Sequence, residues 1–456
     1  MHPRPVFQQR RVRRRSAGLF LILVAFAITA SGCALSGHPG SPKVARVLGQ
    51  ATGTPLAVGQ PAPSGTGDLG AVSCATVRRC WAVGIAGPNP APATGATVIA
   101  ATTNGGTTWK AQAVSGGSTP QLSGVSCPAA TECMAVGSNG ASLPGSGVVI
   151  TTSDAGATWT AVASPANALA VLSVTCASPN DCTAVVSDGT STWAAHSADF
   201  GQSWQQEGNL PSTFQPENDL TCVAGGICLD AGYVPTSNSH GQGAVAVSTD
   251  GGQTWALATV PSGIGVLQST ACPSATVCLA VGTTATTVSD VVPAKGELLR
   301  STDGGHTWEQ SAGPVPVEDV YGMACPSAQQ CAMVGTFWFG LPEVGVGSVA
   351  QSVDAGSTFR GSPTSYTPIT LTAVACPSTS RCIAVGGHTV AKVTLLRPKH
   401  HQVTPTTGAP TTGVTTTTGA TPTTAGVPTT EATTTTTGVP TTTTAVPTTT
   451  TGAPTN

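Results

Sequence analysis

The sequence predicts an all-β fold: a seven-bladed β-propeller of four-stranded antiparallel blades, closed by an N-terminal strand and followed by a disordered C-terminal tail. Three observations carry this expectation. A cysteine, five residues and a second cysteine recur seven times, at Cys74/Cys80, Cys127/Cys133, Cys176/Cys182, Cys222/Cys228, Cys272/Cys278, Cys325/Cys331 and Cys376/Cys382. Successive first cysteines lie 46 to 53 residues apart, and self-similarity at such a period marks a repeat architecture. Between consecutive pairs, in phase with them, stand TTNGGTTW, TTSDAGATW, SADFGQSW, STDGGQTW, STDGGHTW and SVDAGSTF.

One unit, Leu267 to Pro316, shows how a repeat becomes a blade. LQSTAC reads as a first strand, CLAVG as a second, GELLRS as a third and TWEQSAGP as a fourth. Apolar and β-branched residues dominate the runs, and Gly, Pro, Ser and Thr separate them. No stretch of useful length has helical periodicity. Four short strands in about 40–50 residues are what a propeller blade requires.

The paired cysteines bracket the first hairpin, with turn formers between them in CPSATVC, CPSAQQC and CPSTSRC. Facing residues on antiparallel strands stand ~4.5–5.5 Å apart at Cβ, within reach of a disulfide. Each short closed loop contributes about 2 kcal/mol in the loop-entropy model. A metal-binding alternative fails on spacing, because thiolate sites use CxxC pairs that converge. Strands instead distribute these pairs around a ring, so no metal and no cofactor are expected.

The second motif resembles the Asp-box, or BNR repeat, of sialidases and related propellers, Ser-x-Asp-x-Gly-x-Thr-Trp. The matching acids are Asp154, Asp199, Asp250, Asp303 and Asp354, with Asn104 in the first copy. The matching aromatics are Trp109, Trp159, Trp204, Trp255 and Trp308, with Phe359 in the last. The resemblance spans residues 50 to 398 and implies a turn between strands three and four. There a short acid accepts nearby backbone N–H groups and Gly supplies positive φ. Identical acids in every blade suit a structural staple better than a single catalytic or calcium site.

Seven first hairpins and six boxes are reconciled if the N-terminus closes the ring. Each box aromatic precedes the next first cysteine by 17 or 18 residues, which from Cys74 leads to Leu56 and Ala57 in TPLAVGQP. That stretch resembles the fourth strands TWTAVASP and TWALATVP. It is expected to complete the blade made by LTAVAC, CIAVGG and HTVAKVTLL, so that no edges stay open.

Residues 1–32 read as an export signal: basic RRVRRRS, apolar AGLFLILVAFAITA, then ASGC. The last four residues resemble the lipobox of bacterial lipoproteins, with Cys33 as lipid acceptor and Ala30 where leucine is more usual. An ordinary signal peptide cut near Ala30 is the other reading. A permanent span is disfavoured by the short apolar run. Residues 33–53 form a linker, 54–398 the propeller and 399–456 a Thr/Pro-rich tail too poor in core residues to fold. The tail looks like the O-glycosylated stalks of exported actinobacterial proteins. The expected location is extracytoplasmic, anchored by lipid to the cell membrane, which agrees with paired cysteines. The protein is expected to act as a monomer.

A net charge of −2 with 8% charged residues leaves no basic stripe for nucleic acid. The varied loops, between strands two and three and between blades, fall on the face opposite the cysteine hairpins, and such loops usually carry function. Candidate ligand contacts are Phe337, Trp338, Phe339 and Glu343 in TFWFGLPEV, with Phe214 and Tyr321. The aromatic cluster reads as a plug over the channel or as a platform. Candidate acids are Glu217, Asp219, Glu318 and Asp319. Glu217 is odd, because counting five residues back from the other first cysteines gives Leu69, Leu122, Val171, Leu267, Val320 and Leu371. Either a shifted loop exposes it or the fold holds it deliberately; FQPEND, rich in turn formers, favours the shift.

Sialidases need an arginine cluster, a Tyr/Glu pair and six blades. Here Arg78, Arg79 and Arg381 lie in cysteine hairpins, Arg300 and Arg360 beside boxes, and Arg397 at the exit. The FRIP-type motif is absent. Xyloglucanases with Asp-boxes join two rings. The single ring also resembles photosystem II assembly-factor propellers, which are protein-binding scaffolds. The sequence therefore points to a non-catalytic, surface-anchored binding or scaffold protein for a cell-envelope protein or neutral glycan. The alternative is a polysaccharide-active glycoside hydrolase using Glu217, Asp219, Glu318 or Asp319.

Overall fold

The computed structural model describes residues 57–63, 66–85, 99–115, 120–140, 145–236, 241–284, 295–339, 344–363 and 370–397. The export signal, Cys33, the linker through residue 53, Glu343 and the tail lie outside them. The described residues contain no α-helix. Their strands form seven separate four-stranded antiparallel sheets. Six are built from consecutive strands, such as Asp68–Cys74, Cys80–Ile85, Ile99–Thr102 and Lys110–Gln112 in blade one. Blade seven takes its fourth strand from the N-terminus, as expected. Ala57–Pro61 pairs with Thr389–Thr394, from Ala57 opposite Val393 to Pro61 opposite Thr389.

The seven expected disulfides are all formed within their own hairpins, with Cα atoms 4.0 to 4.1 Å apart. The pairs are Cys74–Cys80, Cys127–Cys133, Cys176–Cys182, Cys222–Cys228, Cys272–Cys278, Cys325–Cys331 and Cys376–Cys382. The two ends of each bridge are not equivalent, as their bracketing of one turn suggested. The second cysteines Cys80, Cys133, Cys182, Cys228, Cys278, Cys331 and Cys382 are buried, none more than 2% exposed. Of the first cysteines only Cys127 is buried, and Cys74, Cys176, Cys222, Cys272, Cys325 and Cys376 are half-buried. The reason is position: each second cysteine opens the second strand, whose side chains are enclosed by neighbouring blades. Cys133, Cys182, Cys331 and Cys382 accordingly belong to the cores between blades. These sulfurs are core residues and form no accessible site.

The apolar run after each second cysteine is the second strand, buried along most of its length as in Cys278–Thr283. One of its faces packs on the preceding blade and the other on the following blade. In blade four, Leu229 and Ala231 join Leu267, Cys278 and Ala280 of blade five. Ala244 and Ala246, on the opposite face, join Val185 and Leu210 of blade three. The fourth strands are shorter than TWEQSAGP suggested: Glu309–Gln310 pairs over two residues, both exposed. Outer strands bury little and sit at an edge, where brevity limits pairing with other chains.

The acid motif closes the turn between strands three and four as expected. Thr152 Oγ1 donates to Asp154 Oδ1 at 2.8 Å and accepts the Gly156 amide at 2.8 Å. Asp154 then accepts the Thr158 amide at 2.9 Å and its hydroxyl at 2.6 Å. These bonds, the Thr158 hydroxyl first, hold the Asp154 carboxyl down at about 2. Asn104 makes the same turn with its amide, accepting the Thr108 N–H at 2.9 Å and donating to its hydroxyl at 2.8 Å. The motif needs hydrogen bonds at this position rather than a charge. The turn passes through positive φ at Ala155 and Gly156. The ring of Trp159 is fully buried between blades one and two, its Nε1–H donating to Gln112 Oε1 at 2.9 Å.

Candidate functional site

The innermost strand of each blade lines a central cavity of 1320 Å³ that runs from the loop face into the ring. A local irregularity aims the lining. In blades one, two, three, five and six the register shifts by one residue before the first cysteine, between Leu69/Ala71, Leu122/Gly124, Val171/Ser173, Leu267/Ser269 and Val320/Gly322. The bulged residues Gly70, Ser123, Leu172, Gln268 and Tyr321 all line the cavity, because a bulge re-aims one side chain out of the alternation. Each bulge presses a carbonyl against the second strand. Any Cβ at Gly84, Gly137, Gly282 or Gly335 would collide with backbone oxygen of Asp68, Gln121, Val266 or Asp319. The glycine of the repeated CxAVG run gives room to that carbonyl in these four blades, whereas blade three accommodates Val186 opposite Val171.

Blade four carries one residue more. Pro216 pairs with Gly232, the place of Leu69 opposite Gly84, and regular pairing resumes only at Leu220 opposite Asp230. Glu217 therefore occupies the bulge and lines the cavity. Counting back from Cys222 misassigned its register by the inserted residue; Glu217 sits half-buried in a strand bulge, not in an exposed loop. Burial raises its carboxyl above the usual carboxylate range. Phe214 sits 1% exposed in the core between blades three and four, with its ring against Gly232. It forms part of that core and not of the ligand face, like Ala168, Ile264 and Val317, which stand eight residues before the first cysteine of their own blades and are also buried.

Asp219 also lines the cavity, but its oxygens are committed to blade five. It accepts the Ser269 hydroxyl at 3.1 Å, the Thr270 amide at 2.6 Å and the Thr270 hydroxyl at 2.8 Å. Desolvation exceeds these bonds and pushes its carboxyl up to about 6.

The most unusual group was not anticipated. Asp230 stands in the second strand where other blades carry Ala82, Ala135, Ala184, Ala280, Met333 and Ala384. It is 0% exposed, and neither carboxyl oxygen has a hydrogen-bond partner among the described residues. Strand alternation turns it toward blade three, since its neighbours Leu229 and Ala231 face blade five. Burial, then the charges of Asp219 and Glu217, raise it well above the carboxylate range. The signal was in the sequence: CLDAG breaks the CxAVG pattern.

On blade six, Glu318, Asp319 and Trp338 form one unit. Trp338 donates its amide to Glu318 Oε2 at 2.8 Å and its indole Nε1–H to Asp319 Oδ2 at 2.7 Å. Its ring lies against Gly345 on the paired strand, where a Cβ would come within 3.0 Å, and it stays 37% exposed. Tyr321 is half-buried in the wall, with its hydroxyl raised by burial and then by the charge of Asp319. Phe337 is half-buried beside it; the side chain of Phe339 and all of Glu343 lie outside the described residues. Between blades seven and one, Asp68 and His388 meet at 3.1 Å beside the cavity. Among the described residues no Lys or Arg lines the cavity, and no group of three or more potential ligands could hold a metal ion.

The model of the BNR/Asp-box repeat matches residues 246–257, the fourth acid motif. A search of curated proteins finds no significant match. Among solved structures, a YCF48 protein bound to a D1 peptide is 14% identical, covering 75% of this chain and 98% of that one, with TM-score 0.53. YCF48 from Cyanidioschyzon merolae is 14% identical over 74% and 98%, with TM-score 0.50. A catalytically inactive virginiamycin B lyase from Staphylococcus aureus with quinupristin is 10% identical over 75% and 99%, with TM-score 0.51. At these identities the likeness concerns the fold, which hosts many functions. The chain is a seven-bladed β-propeller in which one of the turn motifs matches the BNR/Asp-box repeat.

Proposed function

We propose that the propeller is a non-catalytic binding module that presents its loop face, at the cell surface, to a cell-envelope protein or a neutral glycan. The observation that carries this reading is Trp338: a partly exposed aromatic held by two carboxylates, Glu318 and Asp319, in blade six, whose first strand lines the cavity. Such anchored aromatics supply contact area at low entropic cost. A glycoside hydrolase needs two carboxyl groups flanking one bond. Asp219 is occupied by blade five, and Glu318 and Asp319 hold Trp338, which favours binding over turnover. The YCF48 structure, solved with a peptide, is a precedent for a single ring of this kind taking a protein segment. The reading is tested by presenting native protein and Trp338→Ala side by side to a glycan array and to a cell-envelope extract. Ligands captured by the native ring should bind the variant about tenfold more weakly, with the melting temperature unchanged. Equal capture by both proteins would refute the assignment of this face.

Seven disulfides suit folding outside a reducing compartment. We assign Cys33 as the lipid-bearing residue that tethers the ring to the outer leaflet of the cell membrane, because ASGC follows the apolar run. Cys33→Ala is expected in the medium, while the native protein fractionates with membranes; a variant that remains membrane-bound and uncut would contradict the tether.

A further inference from the structure

We propose that the hairpin face of the ring, at the seam between blades seven and one, docks on the headgroups of an anionic phospholipid bilayer. The inference rests on the tether at Cys33, which brings the ring to a membrane, and it adds the orientation there: loop face outward.

Charge is divided unevenly among the blades. Among the described residues, blades seven and one hold Arg78, Arg79, Lys110, Arg381, Lys392 and Arg397. Their single described acid is Asp68, which lies at the cavity on the opposite face. Every other described acid is in blades two to six, whose described Lys and Arg are Lys295, Arg300 and Arg360. The turn motifs explain part of this. Blade one has Asn104 where the other copies have Asp, and blade seven has no copy because the N-terminal strand closes it. The two adjacent blades without a motif acid are the two that carry the cations.

The cations gather around the first motif turn. The Gly105 amide donates to the Arg78 carbonyl at 2.9 Å. A Cβ on Gly105 would stand 2.7 Å from Arg381 Nη1 and 3.0 Å from the Val77 carbonyl. Lys392 Nζ donates to Thr107 Oγ1 at 3.3 Å. Arg79 turns toward blade two, donating to the Ala130 carbonyl at 3.1 Å. Arg78, Arg381 and Arg397 are exposed. Among the described residues no Lys or Arg is within ion-pair distance of a carboxylate, and both ion pairs join His to Asp. Glu132 and Asp154 of blade two and Asp354 of blade six bound the patch.

Two further observations select a bilayer. Val77, at the tip of the first hairpin beside Arg78, is 46% exposed. The other hairpins carry Ala130, Pro179, Gly225, Ala275, Ala328 and Thr379 at this position. An apolar tip flanked by arginines suits a headgroup layer, where the side chain enters the interface and the guanidinium groups meet phosphate. A soluble polyanion offers that tip nothing to enter. The chain ends point the same way. Ala57 begins the closing strand opposite Val393, and the Leu395 amide donates to the Ser380 carbonyl of the seventh hairpin at 3.1 Å. The chain thus enters and leaves the ring at this face and this seam. Residues 34–56, which join Cys33 to the ring, contain Lys43 and Arg46 and no acid.

The test is flotation of the chain from Ala34 to Asn456 with lipid vesicles. This chain keeps every strand of the ring and lacks the export signal and Cys33, so an error in the lipid site would not alter the result. It should float with equimolar phosphatidylglycerol and phosphatidylcholine, less at physiological than at low salt, and not with phosphatidylcholine alone. Arg78→Ser, Arg381→Ser and Arg397→Ser should each weaken flotation by about fivefold, and Val77→Ser should weaken it as well. Lys295→Ser, the same charge change on the loop face, should leave it unchanged. These side chains are exposed, so the melting temperatures should match the native one. Alone, the patch is a marginal anchor at physiological salt, which is why Cys33→Ala still reaches the medium. The inference is overturned if the chain fails to float with the anionic vesicles at low salt, if it floats equally with neutral ones, or if the three arginine variants float as the native chain does. Capture on immobilised polyphosphate without flotation would assign the patch to a soluble polyanion and remove the membrane.

Discussion

A protein that begins at Pro63 should melt on the order of 10 °C below one that ends at Pro398. The N-terminal strand is the outermost strand of blade seven, paired with Thr389–Thr394 along its whole length. It also reaches the next blade, where Gln60 Nε2 donates to the Gly106 carbonyl at 2.6 Å, and the Ala62 amide bonds the His388 carbonyl of blade seven itself at 2.7 Å. Ala62 packs on the core shared by blades seven and one. Deleting the strand reduces blade seven to three strands, removes these bonds and bares a pairing edge. The chain ending at Pro398 keeps the Leu396 amide on Gln351 Oε1 at 2.7 Å, and with it the last described contacts of the ring. Thermal unfolding of the two deletions decides the matter; equal midpoints would mean that the ring is not held shut by its first strand.

Asp230→Ala should raise stability at pH 8 by about 2 kcal/mol or more, the cost of a buried polar group left without a partner. A carboxyl raised in the folded state favours the proton-bound fold. Its stability contribution is full below the unfolded value near ~4 and declines as pH rises through the folded value. The variant therefore gains little at pH 4 and progressively more from there upward. Asp219, pushed up to about 6, adds to the decline of the native protein over the same range. Asp219→Ala is not expected to stabilise equally, because it abandons the Ser269 and Thr270 donors. The acid limb runs the other way. Asp154 and Asp250, held down at about 2 by Thr158 and Thr254, contribute stability above ~4 that is lost as pH falls through ~2. Denaturant titrations from pH 2 to pH 8 test both limbs. A gain from Asp230→Ala as large at pH 4 as at pH 8 would exclude the ionisation argument.

The repeat alone determined the architecture. Seven cysteine pairs in phase with six turn motifs define the blade unit, because a disulfide and a capped turn depend on residues a few positions apart. The hairpin pairing of every cysteine followed from the same short spacing, and the circular closure from counting one more period back from Cys74. Those interactions are local or strictly periodic, which is the information a single sequence holds. The unequal burial of the two cysteines in a bridge was not in the spacing, because neighbouring blades impose it. The site was legible only in part. The loop face, Trp338 and Tyr321 were readable as varied positions on a regular frame, whereas the burial of Phe214 and the true register of Glu217 were not. The register of Glu217 depends on one inserted residue in blade four, since a one-residue shift exchanges the faces of a strand, and the burial of Phe214 depends on how blades three and four close on one another. The CxAVG glycine and the exceptional CLDAG were visible as letters. Their meaning came from tertiary contact: a carbonyl of the neighbouring strand presses on the glycine, and blade three closes over Asp230. Enclosure by an adjacent blade decides whether a carboxylate is solvated or stranded, and that enclosure exists only once the ring has formed.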